Sequence, residues 1–306
     1  KKYLIIGITG QDGINLSLFL LKKKYLIIGA TRNLKKAKKN LMRYKELKNI
    51  KIFKENFYSL KNTEKFILKH KPDYIYFLGG QSSVGKSFRK PNETIKSNVI
   101  PVSNILETSR KFNLNNKIYN SSSSEIFGNQ GKKKLNENSI YYPISPYALA
   151  KAISTDLVKS YRLSFKTKCC NGICFNHESE KRNANFLFGK LLQLTKNLKN
   201  KKKFVFGNLN IVRDWGLSKE YVVAYFRILK QKTLEDYVIA TGKSFSIKKI
   251  FIKILGKKIF NEKIISSKKL KRTNEIFYSY ANPKKIRKKL GWKAYSTVID
   301  LFKLYG

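Results

Sequence analysis

Short runs of Ile, Leu, Val and Tyr alternate along much of the chain with longer stretches whose apolar residues recur at helical spacing. Residues 3–8 form a continuous apolar run that predicts a buried strand, leading into a glycine-punctuated segment at 7–13. Ile14, Leu18 and Leu21 then fall on one face of a predicted helix, and residues 25–31 predict a second strand. The same alternation predicts strands at 50–54, 74–78, 117–121 and 168–175. Helices are predicted at 61–69, at 92–112 and from Tyr147 to about residue 163. Strands separated by helices of this length predict an α/β fold with a Rossmann-like, doubly wound parallel sheet.

After Asn176 the pattern changes. Residues 176–182 read as a polar loop, 186–197 as a helix, 204–207 as a short strand, and 212–216 as the lead into a helix ending near Leu229. Residues 236–241 predict one more strand of the main sheet, and helices are predicted at 247–255, 283–290 and 297–304. The expected division is a nucleotide-binding domain at 1–175 with a return strand near 236–242. A smaller C-terminal substrate-binding domain takes 176–235 and 243–306.

Strand, glycine turn, helix and strand within about 30 residues form the dinucleotide-binding unit. Gly7 permits the tight turn, Gly10 lets backbone N–H groups approach a pyrophosphate, and Gly13 allows close helix packing. At the end of the second predicted strand NAD would want a carboxylate for its ribose. The chain instead has Thr31-Arg32-Asn33, then Lys35, Lys36, Lys38 and Lys39, and no acid before Glu46. A cation there suits the 2′-phosphate of NADP, with a solvated lysine run and NAD as the alternative. Gly79, Gly80, Gln81 and Ser82 end the strand at 74–78, where small residues admit a cofactor closely, and His70 is expected at the surface.

Tyr147 and Lys151 are four apart on a predicted helix and share a face. An ammonium beside a phenol favours the phenolate, so the pair predicts a tyrosine drawn from about 10 toward neutrality, a candidate general base or acid. With 18 Tyr and 65 Lys plus Arg, chance alone gives roughly four such pairs, so context must decide. Ser123 and Glu125 supply it. Two apart at the end of an apolar run, they would face one side of an extended segment. A hydroxyl, a carboxylate, a phenol and an ammonium together can manage a hydride's companion proton and a carbon-bound proton as well.

Composition changes little of this. No apolar run approaches the roughly 18 residues of a membrane span, and no cleavable leader is seen, so the cytoplasm is the expected compartment. Cys169, Cys170 and Cys174 suit neither a disulfide framework nor a metal site, and with only two His no metal is expected. The net charge of +46 would suit nucleic acid. However, Lys, Asn, Ile, Phe and Tyr rise together as A/T-rich codons dictate, and the basic residues are spread along the chain. Nucleic acid is therefore not the expected partner.

Seven segments in order then resemble those of the GDP-mannose 4,6-dehydratase family of extended short-chain dehydrogenases/reductases. They are GITGQDG (7–13), LGGQS (78–82), SSSEIFG (122–128), YPISPYALAK (142–151), NGICFNHES (171–179), GNLNIVRDWG (207–216) and DYVIATG (236–242). The resemblance implies that Tyr147 takes the proton of the mannose 4-hydroxyl as hydride passes from C4 to NADP. Ser123 would polarise that oxygen, and Lys151 would hold the nicotinamide ribose. Glu125 would remove the C5 proton, water would leave from C6, and the hydride would return there. It further implies cofactor contacts at Gly7, Thr9, Gly10, Gln11, Asp12, Gly13, Arg32, Asn56, Leu78, Gly79, Gln81, Ser82, Tyr147, Lys151, His177 and Arg182. Asn176, Lys190, Arg213, Arg272 and Glu275 would lie near GDP-mannose, and a homo-oligomer, dimer or tetramer, is implied. Asn56 stands where the family has an acid, Arg32-Asn33 where it has paired arginines, and Asn183 replaces a glycine. Another nucleotide-sugar dehydratase or epimerase of this fold, or a non-catalytic relative, are the alternatives.

Overall fold

The computed structural model describes residues 1–182, 186–197, 203–267, 270 and 274–305; Arg272 and Asn183 lie outside them. Seven parallel strands build the main sheet: β1 (Lys2–Ile6), β2 (Leu26–Thr31), β3 (Lys51–Lys54), β4 (Tyr74–Phe77), β5 (Lys117–Ser123), β7 (Cys169–Cys174) and β11 (Tyr237–Ile239). Their order across the sheet is β11-β7-β5-β4-β1-β2-β3. Helices α1 (Gln11–Lys22), α2 (Leu34–Leu41), α3 (Leu60–His70), α4 (Val84–Arg89), α5 (Pro91–Lys111) and α6 (Pro146–Ser164) link them. The fold class expected from the alternation is the one observed.

The period-2 geometry of a strand explains why these runs are apolar throughout. In β1, Tyr3 and Ile5 enter the core beneath α1 and α8 (Ser218–Leu229), while Leu4 and Ile6 enter the core on the opposite face. Each such side chain contributes roughly 1.5–3 kcal/mol when buried. The first of these cores is lined by tyrosines. Tyr3 stacks on Tyr74 with ring centres 4.7 Å apart, and Tyr119 stacks on Tyr225 at 4.8 Å.

A second assembly follows. It comprises β6 (Lys134–Leu135), β8 (Asn176–Glu178), α7 (Leu187–Lys196), β9 (Phe204–Phe206), β10 (Val212–Leu217), β12 (Ser244–Ser246) and α9 (Ile247–Leu255). The remainder is α10 (Lys257–Lys263), β13 (Ile264–Ser266), β14 (Tyr280–Ala281), α11 (Lys284–Leu290) and α12 (Val298–Tyr305). Its own core gathers Phe188, Trp215, Phe251 and Leu301. Ile286 of α11 instead joins the core beneath α1 and α8, and Leu135 of β6 and Ala281 of β14 pack with Ile173 and Val238 of the main sheet. Among the described residues no helix is long and apolar enough to cross a membrane.

Four expectations change. The segment after Asn176 is not all loop, because β8 pairs in parallel with β10. The lysine run after Asn33 is helix α2: the Asn33 side chain caps it by accepting from Lys36 N, and Ala37 and Leu41, four apart, turn inward. Residues 84–89 add helix α4, capped by Ser83. His70 ends α3 with its ring near those of Phe53 and Phe66, at 4.5 and 4.4 Å between centres, rather than standing free at the surface.

The three cysteines lie buried on β7, and burial pushes Cys174 up to about 11, which leaves them unreactive as thiols. Gly172, between them, is needed for packing, since a Cβ there would lie 2.0 Å from the Tyr119 hydroxyl. Gly172→Ala should therefore lose about 1–3 kcal/mol in urea unfolding. Gly85→Ala, in a helix with nothing within 4 Å of the new Cβ, should gain up to about 1 kcal/mol. Equal effects at both sites would refute the packing account.

Candidate active site

β1 and β4 are neighbours, yet the chain proceeds outward from them in opposite directions. Where a parallel sheet changes direction in this way, the loops leaving the carboxyl ends of the strands part and form a crevice. A cleft of about 1200 Å³ opens there. Gly7 begins the turn at φ +89°, and a Cβ on it would lie 2.8 Å from the Leu78 carbonyl. A Cβ on Gly13 would lie 2.4 Å from the Gly7 carbonyl oxygen, so α1 can start this close to β1 only with glycine. Gly10 caps α1 and faces open space, with the Gly7 oxygen its nearest neighbour at 3.4 Å. The result is a cradle of backbone N–H groups at a helix N-terminus, shaped for an anion.

Ser123 closes β5 and lines this cleft together with Glu125, Tyr147 and Lys151. The strand does not carry Glu125; a one-turn 3₁₀ helix (Ser124–Phe127) brings it round, with its N–H donating to Ser123 Oγ at 3.3 Å. Helix α6 starts where Ser145 accepts from Ala148 N and Pro146 takes the first helical position. One turn apart, Tyr147 and Lys151 share its inner face, both more than nine-tenths buried.

Their electrostatics differ from the expectation. Burial pushes the Tyr147 phenol up to about 12, against a lowering hydrogen bond with Ser123. Lys151 does not counter this, because its ammonium donates to the Ser121 carbonyl at 2.9 Å and stands 6.0 Å from the Tyr147 ring centre. Burial brings Lys151 itself down to about 8. Both groups are thus driven toward their neutral forms.

Most other expected residues line the same cleft: Thr9, Gln11, Asp12, Arg32, Asn56, Leu78, Gly79, Ser82, Asn176, His177, Arg182, Lys190, Arg213 and Glu275. Gln81 does not; its amide donates to Ser83 O and Thr94 Oγ1 and holds the loop against α5. Asn56 Oδ1 accepts from Tyr58 N, so one of its lone pairs is engaged. Arg213 lines the cleft, whereas Asp214 points the other way and accepts from Thr241 and Gly242. Burial raises Asp214 to about 6 despite those bonds. Arg182 pairs with Glu178 at 3.2 Å and lies 3.8 Å over the Phe186 ring.

The side chains of Asp12 and His177 meet each other. His177 Nε2 is 2.8 Å from Asp12 Oδ2, with the two side chains 12% and 17% exposed. Ser218 Oγ donates to Asp12 Oδ1 at 2.6 Å, and Tyr225 OH to Oδ2 at 3.3 Å. Sequence reasoning missed Ser218, Tyr225, Glu55 and Arg89, the last two lining the cleft. No local motif marks them, since each reaches the site only through tertiary packing.

Because the folded pKa of Lys151 is depressed, its charge opposes folding below about pH 8. That penalty is relieved as the pH rises from 8 toward the unfolded value of about 10.4. Relative to Lys151→Met, the wild type should therefore gain about 3 kcal/mol over that window, read as the difference between two urea-unfolding series. A difference independent of pH would show that the ammonium is solvated.

Residues 4–304 match the family described as GDP-mannose 4,6 dehydratase. GDP-mannose 4,6 dehydratase 2 of Caenorhabditis elegans is 33% identical, over 99% of this chain and 87% of that one. The GDP-mannose 4,6-dehydratase of Vibrio cholerae serotype O1 is 35% identical over 81% of this chain and 69% of that one. Among solved structures, a dTDP-glucose 4,6-dehydratase from Streptomyces venezuelae with NAD bound superposes with a TM-score of 0.86 at 17% identity. That match covers 100% of this chain and 95% of that one. With the glycine cradle and the four convergent side chains in place, the chain belongs to the GDP-mannose 4,6-dehydratase family.

Proposed function

We propose that the protein is a hydro-lyase that converts GDP-mannose to GDP-4-keto-6-deoxymannose, using NADP. The observation that carries the reading is the convergence of Ser123, Glu125, Tyr147 and Lys151 on one cleft with the glycine cradle. A pyrophosphate fits the cradle, because Gly10 leaves it open where Gly7 and Gly13 close it to any side chain. The backbone of residues 9–13 would hold the phosphates, and Leu78, Gly79 and Ser82 would flank the cofactor. Arg32, Lys36 and Arg89 line the cleft beyond Asn33, and these cations support NADP over NAD. Bound there, a nicotinamide ring supplies a reversible hydride acceptor.

The residues supply the proton chemistry. Tyr147, once it has given up its own proton, receives that of the sugar 4-hydroxyl as C4 becomes a ketone, and Ser123, whose hydrogen bond favours the phenolate, aligns the oxygen. Lys151, fixed by the Ser121 carbonyl, presents a cation at the ribose. The ketone acidifies the proton on C5, which Glu125 removes and passes to the departing C6 hydroxyl, so that water leaves. C6 then takes back the hydride lost from C4, and C5 regains a proton in place of the one taken from the 4-hydroxyl. An alcohol oxidation alone would not need the carboxylate; elimination does. Arg213 and Lys190 suit the sugar diphosphate, with Asn176 and Glu275 nearby.

Residues 176–235 and 243–306 form the substrate-covering part in this reading. The protein works in the cytoplasm as a dimer or tetramer, a contact supported by the exposed apolar residues Leu149 and Ile153 on α6.

Purified protein incubated with GDP-mannose and catalytic NADP should yield a product lighter by one water in mass spectrometry. Glu125→Gln should abolish it while retaining sugar binding, and Tyr147→Phe should slow it roughly 10²–10⁴-fold. An unchanged GDP-mannose peak would sink the substrate assignment.

A further inference from the structure

Buried polar contacts stitch the first turn of α1 to the second half of the chain. His177 Nδ1 lies 2.8 Å from the Phe175 carbonyl oxygen, and Nε2 lies 2.8 Å from Asp12 Oδ2. A carbonyl oxygen and an ionised carboxylate only accept, so both ring nitrogens must donate and the ring is an imidazolium. The other partners of Asp12 are donors too. Asn15 Nδ2 donates to Ser218 Oγ at 2.8 Å, leaving the Ser218 proton for Asp12. Gln11 reinforces the seam, donating to His177 O at 2.9 Å and accepting from Ser179 Oγ at 3.1 Å. The His177 ring lies against Tyr221, centres 4.6 Å apart and planes 28° from parallel. That stacking fixes the ring on Asp12.

We propose that His177 is a positioning residue for dinucleotide binding, acting through Asp12: it neutralises the carboxylate carried by the phosphate-binding turn and holds that turn against β8 and α8. The inference rests on reading the glycine turn as a dinucleotide site. A pyrophosphate brings negative charge to the N-terminus of α1, and a bare carboxylate in that first turn would repel it. Paired with an imidazolium, Asp12 presents no net charge and the helix end stays attractive.

The surroundings of His177 agree. Asp12 faces it from α1, Glu178 and Arg182 from β8 and the residues after it, and Tyr221 and Tyr225 from α8. Cys174 and Tyr119 stand behind Tyr225. Burial alone would lower the His177 pKa, but the Asp12 carboxylate outweighs it, with Arg182 opposing, and the net direction is upward. Burial disfavours the charged form of Asp12, yet His177 and Ser218 hold it below the usual carboxylate range. Tyr119, Tyr221 and Tyr225 are raised well above 10 and stay neutral.

Two measurements test this. The chain has only two histidines, so ¹⁵N imidazole spectra of the whole protein resolve both. His177 should titrate above the ordinary imidazole value, whereas burial and Lys69 hold His70 below it. A His177 that titrates at or below about 6.5 overturns the proposal. Second, NADP affinity is measured by calorimetry at pH 7 for the wild type, His177→Gln, Asp12→Asn and the double variant, each checked for folding by thermal unfolding. His177→Gln should weaken NADP about tenfold, and adding Asp12→Asn should restore it to within about threefold, because the repelling charge is gone. A purely structural role predicts no rescue, and that result overturns the proposal. If wild type binds neither NADP nor NAD, the dinucleotide reading itself falls and this inference with it. Binding without rescue sinks the inference alone.

Discussion

A parallel sheet delivers the carboxyl end of every strand to one edge, and the site depends on that constraint. The turn after β1 supplies the cradle, the turn after β4 supplies Leu78 and Gly79, β5 ends in Ser123, and β7 runs on to Asn176 and His177. Four segments far apart in sequence are therefore gathered at one edge. Tyr147 and Lys151 come instead from the inner face of α6. Their position depends on how α6 sits on the sheet, which a buried polar chain fixes. Ser122 Oγ and Thr155 Oγ1 are 2.6 Å apart, Asn171 Nδ2 donates to Thr155 O, and Asp236 binds Asn171 and Arg162.

What was legible in the sequence was what depends on short spacing. The glycine turn follows from three glycines between a strand and a helix, and the shared face of Tyr147 and Lys151 follows from 3.6 residues per turn. The direction of the Lys151 ammonium was not legible, because the competing acceptor is the Ser121 carbonyl, thirty residues away. Strand β8 was hidden because three residues give no period and its partner β10 comes some forty residues later. Helix α2 was hidden because eight residues with two buried positions look like a solvated lysine run.

The electrostatics of the site show burial prevailing over pairing. A phenol at about 12 and an ammonium at about 8 are each displaced toward the uncharged form. The exception is the Asp12–His177 pair, where short contacts to several donors outweigh desolvation. At the base of the cradle, charge is thus kept where several hydrogen-bond donors converge on one carboxylate, whereas the isolated buried phenol and ammonium are displaced toward neutrality.

The chain carries 19 Asp and Glu against 65 Lys and Arg, with the A/T-rich codon usage its composition implies. Under that pressure one G-to-A change at the first codon position turns Asp into Asn and Glu into Lys. On the exposed face of α2 such drift is harmless, which is how half of a helix can come to be written in lysine. At Asp214 the same change would set an amide N–H₂ among the donors of Thr241 and Gly242. At Glu178 it would bury a lysine against Arg182. The interior carboxylates therefore mark the limit to which base composition can rewrite this fold.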